Sequence, residues 1–403
     1  MTFTIFCYIW AALLALITLI WLSRHREISR AKREHLPLYS NSYPGPPKNP
    51  PRLSVLIAGK DEEANIEQAV RTALEQDYPN FELIVVNDRS TDRTGEILER
   101  LKAEIGNGRM QVVHIDRLPE GWFGKNHAMH RGVELATGEW LCFGDADCRQ
   151  TSTKTFSMAM RHAIEWNIDF LSILPGLETQ SFWERVIQPV CGALMVFWFH
   201  PRKVNDPRDP AAYANGAFML MRRSCYDTIG GHEAVRTQVN EDMHMARLAK
   251  ERGQRLVVVQ SGDLYVVRMY SRLKDIWRGW SRIFYGCFGT FRRLRITLLV
   301  LVLMTIFPFL SLLVSATAVA IRGLDAPGWP IVLAASIVYF IVQQSVITRF
   351  YRLSKANPWL APTWFLGACF SVGMLINAML KLKGRTGLHW RGSVYRGEQV
   401  ANA

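Results

Sequence analysis

Residues 139–149 read EWLCFGDADCR, an apolar run that ends in two aspartates separated by a single alanine. The WLCFG run is short and flanked by charged residues, as a buried strand is. In an extended chain alternate residues point to one side. Asp145 and Asp147 would then project together from the strand's end, with the small Ala146 crowding neither. Two carboxylates held that close need a cation or a shared proton between them.

Three similar runs precede this one: LSVLIA at 53–58, ELIVVN at 82–87 and MQVVHI at 110–115. They alternate with helical patterns, EEANIEQAVRTALEQ and TGEILERLKAEI among them. Strands and helices alternating at this spacing predict an α/β fold: a mainly parallel sheet with helices on both faces and a ligand crevice at the carboxyl ends of the strands. Four polar sequences fall on that edge, AGKDEEANI, NDRSTD, PEGWFGKNHAMHRG and GDAD. Any one alone is an ordinary strand-end turn; together on one edge they mark a site. Further along, YANGAFMLMRRSCYDTIGG predicts a strand and a short helix, and QVNEDMHMARLAKERG an acid-headed helix that ends at Gly253.

Long apolar blocks bracket this region. Thr2–Leu22, Ile296–Ile321, Trp329–Ile347 and Trp359–Leu380 are each long enough to cross a hydrocarbon core. Ile187–Phe199 is too short to span and reads as a core or interfacial helix. Arg24, Arg26, Arg30, Lys32 and Arg33 follow the first block, so the positive-inside rule places the N-terminus outside a cytoplasmic membrane and the α/β domain in the cytoplasm. The expected organisation is an anchor over 1–23, a basic and proline-rich linker over 24–51, the α/β domain over 52–264, an amphipathic interfacial segment over 265–295, a membrane region over 296–380 and a basic tail over 381–403. Three crossings after an N-out anchor would leave that tail outside, against the rule. We therefore expect a cytoplasmic tail and one segment that stops short of crossing, Trp359–Leu380 with its Pro362 and two glycines.

The formal charge of +13 is local: residues 24–35 carry +3, residues 265–295 carry +7 and residues 381–403 carry +4, leaving the rest near −1. The excess lies beside the membrane blocks, where anionic headgroups are, and argues against nucleic acid as a partner. Seven cysteines form no C-x-x-C pair, as suits free thiols, and Cys148 beside the acids reads as a small apolar filler.

Taken in order, AGKDEEANI, VNDRSTD, GWFGKNHAMHRG, GDADC, SFWER followed by VNDP, NGAFMLMRR and NEDMHMARLAKERG resemble the family 2 glycosyltransferases of GT-A fold over about residues 50–290. Within that family the likeness is to the membrane-bound branch that glycosylates lipids, including hopanoid-associated and carotenoid-type enzymes. The resemblance implies an inverting transferase that moves a sugar from a nucleotide-diphosphate donor, expected to be a UDP-sugar, to a membrane lipid. Mg²⁺ or Mn²⁺ would neutralise the charge growing on the leaving diphosphate. By the same resemblance Asp147 is the direct metal ligand, and Asp145 serves the ribose or the metal through water. Asp88 accepts a hydrogen bond from the uracil ring, although Asn87 stands where the family has a first aspartate. Ala58, Lys60 and Glu62 line the nucleotide cleft and Lys125 lies near the diphosphate or ribose. Asp242, with Glu241 beside it, is the base that deprotonates the acceptor. WRGWSR at 277–282 replaces the Q-x-x-R-W of many relatives, which implies a single transfer and puts Arg278 and Trp280 on the acceptor and membrane side. The competing readings are a processive polysaccharide synthase and a non-enzymatic membrane scaffold. A D-x-D phosphatase is disfavoured, because Arg149 stands where that motif wants Thr or Val.

Overall fold

The four expected strands form one half of a seven-stranded sheet: β1 (Leu53–Gly59), β2 (Phe81–Asp88), β3 (Met110–Ile115) and β4 (Trp140–Asp145), parallel and in the order β3-β2-β1-β4. The computed structural model describes residues 2–34, 37–106 and 108–384, and the backbone alone of 388–390 and 393–395. The sheet continues with β8 (Phe218–Arg222), β6 (Phe170–Leu174) and β9 (Leu256–Gln260). β8 runs antiparallel to both of its neighbours, so the sheet is mixed though mostly parallel. β6 and β9 were not foreseen, although LVVVQ is rich in β-branched residues.

Alternation along the strands sends side chains into two cores. Val55, Ile57, Leu83 and Val85 pack with Ile66 and Val70 of α2 (Ile66–Leu74), Leu98 of α3 (Thr94–Ile105) and Phe156 of α5 (Thr155–Glu165). On the opposite face Leu56, Leu141 and Phe143 pack with Met129 and Val133 of α4 (Gly124–Val133), Tyr226 of α8 (Arg223–Ile229) and Met245 of α10 (Glu241–Glu251). Short α7 (Pro201–Val204) and α9 (Gly231–Ala234) complete this domain. The chain builds outward from β1 through β2 to β3, then returns to add β4 on the other side of β1. That reversal opens a crevice beyond the carboxyl ends of β1 and β4, where Ala58 and Asp145 are partners across the pair.

β4 does not run on as an extended chain. It turns at Ala146 and Asp147 into β5 (Cys148–Gln150), which joins β10 (Tyr265–Val267) and β7 (Gly176–Leu177) in a small second sheet. Strict alternation therefore does not set the relation of the two aspartates; the turn does. Because β10 pairs with β5, strand structure extends past 264, and the helical part of the expected interfacial segment is α11 (Leu273–Phe288) and the start of the next helix at Phe291.

The helical unit comprises Met1–Glu34, Thr179–Met195 and Tyr270–Thr386. Four helices are long and apolar enough to cross a membrane: Thr2–Glu34, Phe291–Arg322, Trp329–Leu353 and Pro358–Leu382. The first, α1, continues without a break through the basic stretch assigned to a linker, where Arg30 pairs with Glu27 and Glu34 one turn away on either side. Most of α6 (Phe182–Trp198) belongs to this unit. Phe291–Arg322 comprises α12 (Phe291–Leu301), a π-helical stretch over Val302–Ile306 and α13 (Phe307–Arg322); Trp329–Leu353 is α14. The widened π turn frees the carbonyl of Met304, which accepts hydrogen bonds from Trp21 Nε1 of α1 at 2.9 Å and Tyr339 Oη of α14 at 2.6 Å.

Pro358–Leu382, the segment expected to stop short, matches Trp329–Leu353 at 25 residues and is similarly apolar. Its proline and glycines do not break it. Pro362 sits in the opening 3₁₀ turns, and α15 (Trp364–Leu382) uses its glycines for close packing. A Cβ on Gly367 would collide with the Val186 carbonyl oxygen of α6, and one on Gly373 with the ring of Trp277. The basic tail from 385 onward lies outside the residues described with side chains.

Candidate active site at the carboxyl edge of the sheet

Three parts of the chain meet at the crevice. α4 begins with Gly124 and Lys125, and its first turn is pinned to the segment before α10. Phe123 N donates to Arg236 O at 2.7 Å, and Asn126 Nδ2 donates to Val235 O and Gln238 O at 2.6 and 3.0 Å. This brings Lys125 Nζ to 2.6 Å from Asp145 Oδ1 and 2.7 Å from Glu241 Oε1. Burial opposes the lysine's charge, but the two carboxylates outweigh it and raise its pKa above the usual lysine range. Lys125 and Asp145 keep 31 % and 34 % of their side-chain surface open while Glu241 keeps 6 %, so a ligand reaches the first two directly.

Asp242 lies beside this bridge. The backbone N–H groups of Gly216 and Met243 donate to its two carboxylate oxygens at 2.9 and 2.7 Å. Burial, and then the neighbouring Glu241 charge, push its pKa up to about 7 against the opposing pull of Lys125 and those two N–H groups. A buried carboxyl poised near neutrality is suited to accept a proton. Gly216, just ahead of β8, is the residue around which these groups converge: a Cβ there would lie 2.9 Å from Lys125 Nζ and 3.4 Å from both Asp242 Oδ2 and Glu241 Oε1. Gly216→Ala is expected to displace the lysine and lower turnover by roughly 10- to 100-fold, as small misplacements of reacting groups do. Thermal unfolding should barely change, since the addition lies in a polar crevice. Undiminished turnover in that variant would show that the lysine's position is unimportant.

At the other end of the crevice Asp88 closes β2, with its side chain only 5 % exposed, and receives both Arg89 Nε at 2.7 Å and Arg89 Nη2 at 2.9 Å. Lys60 Nζ donates to Arg89 O at 3.0 Å. Glu62 is buried just ahead of α2, where its side chain accepts from Asn65 Nδ2 at 2.9 Å and its backbone N–H donates to Thr94 Oγ1 at 2.8 Å. Asn87 Nδ2 donates to His114 Nδ1 at 3.0 Å. The start of α4 links the two ends, because Gly124 abuts the Asp88–Arg89 pair and the next residue is Lys125.

Among the described residues no three His, Cys, Asp or Glu side chains are grouped to hold a metal. Asp145 and Asp147 at the β4–β5 turn supply two carboxylates. That donor set fits a hard divalent cation that keeps waters and takes oxygens from a bound phosphate, and does not fit an all-protein cage. Ala146 between them is buried beside Gly59. Cys148 is a filler: its thiol donates to Ala217 O at 3.4 Å, and burial, with Asp147 and Asp145 adding to it, drives its pKa well up.

The structure thus gathers Lys125, Asp145, Glu241 and Asp242 into one cluster, puts Ala58 beside Asp145, and sets Lys60 and Asp88 around Arg89. Arg278 and Trp280 belong to α11 in the helical unit, the arginine exposed and the tryptophan buried against Phe284. The sequence reading missed Gly216 and Arg89, though both stand inside quoted motifs, because a glycine's clearance and an arginine's partner are set by tertiary contacts.

A mostly parallel sheet with this acidic edge, carried with membrane-length helices, defines a GT-A-type transferase domain. The model for "Glycosyl transferase family 2" matches residues 54–230 and that for "Glycosyl transferase family group 2" matches residues 171–347. The chain belongs to the family 2 glycosyltransferases. It is 23 % identical over 234 residues to the 4,4'-diaponeurosporenoate glycosyltransferase of Staphylococcus aureus (strain USA300), a match covering 57 % of this chain and 60 % of that one. It therefore spans about three-fifths of the curated relative's length. The solved mannosyltransferase PcManGT from Pyrobaculum calidifontis, in complex with GDP-Man and Mn²⁺, shares the fold with a TM-score of 0.51 and 20 % identity, covering 92 % of this chain and 98 % of its own.

Proposed function

We propose that the protein is a membrane-bound inverting glycosyltransferase that transfers one sugar from a nucleotide-diphosphate donor to a lipid hydroxyl. The observation that carries this reading is the Lys125 bridge, which ties the D-x-D strand end to the NED helix head and leaves Asp242 beside it at near-neutral pKa. Asp242 accepts the proton of the acceptor hydroxyl as that oxygen attacks the anomeric carbon. Lys125 and the first N–H groups of α4 face the diphosphate, where positive charge is needed as the leaving group departs. A divalent cation held by Asp147 and Asp145, Mg²⁺ or Mn²⁺, would supply further charge to the same oxygens. Asp88, Arg89 and Lys60 form the end of the crevice assigned to the base. Two features support a lipid acceptor: the four membrane-length helices, and a relative named for glycosylating a carotenoid acid.

The test is direct. The full chain in lipid nanodiscs is given radiolabelled UDP- and GDP-sugars with Mn²⁺ and a total lipid extract, and products are resolved by thin-layer chromatography and mass spectrometry. Label in a single-sugar glycolipid is the expected result. Label only in long polymers would replace this reading with a processive synthase, and no donor consumption at all would point to a scaffold.

A further inference from the structure

Family resemblance assigns base recognition to Asp88, but the geometry gives that carboxylate another partner. Both of its oxygens accept from the Arg89 guanidinium in a two-pronged pair, and its side chain is only 5 % exposed while that of Arg89 is 20 % exposed. A paired carboxylate at that depth offers little to an incoming base. The guanidinium in front of it offers donors.

Several elements hold Arg89 in place. Its backbone sits at φ +53°, a left-handed conformation that costs a non-glycine residue energy and persists only where the surroundings impose it. Those surroundings are visible: Arg89 N donates to Ile115 O at the end of β3, and Lys60 Nζ from the β1 end holds its carbonyl. On the far side, a Cβ on Gly124 would lie 2.6 Å from both Arg89 Nη2 and Asp88 Oδ2, so only glycine at the head of α4 admits the pair. His127, one turn further along α4, is held down in pKa chiefly by burial, with Asp88 opposing and Arg89 adding, and its buried Nδ1 has no hydrogen-bond partner among the described residues. Residues from the ends of β1 and β3 thus fix the backbone of Arg89, while Asp88 at the end of β2 and Gly124 at the head of α4 enclose its guanidinium.

We infer that Arg89 is the residue that reads the donor's base, with Asp88 as its anchor, and that it selects an oxo group on the base. The inference rests on the glycosyltransferase reading above. A guanidinium only donates, so it pairs with the carbonyl oxygen of uracil or guanine and is mismatched to the amino group that cytosine or adenine presents at the same place. Hydrogen bonds from a charged donor contribute enough for such a choice to be measurable.

The experiment compares nucleotides that differ at that oxygen alone. Binding of UDP and 4-thio-UDP, and of GDP and 6-thio-GDP, is measured by calorimetry with Mn²⁺ for the full chain in nanodiscs. Sulfur accepts poorly but leaves the ring N–H in place and makes it the better donor, so a carboxylate reading that N–H would not favour the oxo member. The native chain is expected to bind the oxo member of its preferred pair at least about fivefold more tightly. In Arg89→Gly, which suits the backbone at φ +53° and so should fold, the ratio should fall to about one while diphosphate-dependent binding remains. Arg89→Lys keeps the charge but loses the fork and should also lose most of the ratio. A ratio near one in the native chain, or a ratio that survives in Arg89→Gly, overturns the assignment and returns base reading to Asp88. If the native chain binds no nucleoside diphosphate, the glycosyltransferase reading fails as well.

Discussion

Asp242→Asn is expected to bind donor and cation nearly as the native chain does and to transfer sugar roughly 10²- to 10⁴-fold more slowly, the usual contribution of a positioned general base. Asparagine keeps the size of the side chain but offers one acceptor oxygen where Gly216 and Met243 now use two, so a loss of about 1 kcal/mol in stability accompanies the change. A catalytic role is separated from this structural cost by the pH profile. Native transfer should rise with pH through about 7 as Asp242 ionises and level off above it, and the variant's residual transfer should lack that rise. Stability runs the other way. The folded carboxyl holds its proton up to about 7, against about 3.9 in an unfolded chain, so this group favours the fold at low pH. That stability is lost as pH climbs between the two values. Near-normal single-turnover transfer by Asp242→Asn would remove it from the mechanism and make Glu241 the next residue to test.

Asp147→Asn should abolish cation-dependent donor binding. With only two carboxylates at the β4–β5 turn, the site holds a cation chiefly by charge, and the second carboxylate, Asp145, is already shared with Lys125 at 2.6 Å. Removing Asp147 leaves one carboxylate partly neutralised by an ammonium. Titrating UDP and GDP with and without Mn²⁺ reads the effect: the native chain should gain affinity on adding metal and the variant should not. An unchanged gain would show that Asp147 is not the ligand.

These two expectations could be framed from the sequence because carboxylates at strand and helix ends stand out in it. β1 to β4 were legible for a similar reason: apolar runs bounded by polar turns have few other readings. β6 and β9 are equally apolar but short, and although the expected helix ending at Gly253 leads into β9, no strand-end motif follows either one to mark it. The turn at Ala146–Asp147 was hidden by the assumption that a strand continues straight, when β5 in fact leaves for another sheet. The Arg89–Asp88 pair and the clearance at Gly216 were illegible in kind, since both depend on α4, and in the second case also α10, arriving from distant parts of the chain. Likewise Pro362, Gly367 and Gly373 read as breakers until their neighbours show that one lies in an opening turn and the others admit a carbonyl and an indole.

The carbonyl of Met304 has a consequence for biosynthesis. Its partner Trp21 is 283 residues earlier in the chain. At the usual pace of translation, tens of seconds separate the emergence of the two. Throughout that interval the indole N–H of α1 lacks its Met304 partner, and the whole α/β domain is synthesised before that partner exists. Helix α1 is thus made early and locked late, once the chain around Met304 and Tyr339 has been made.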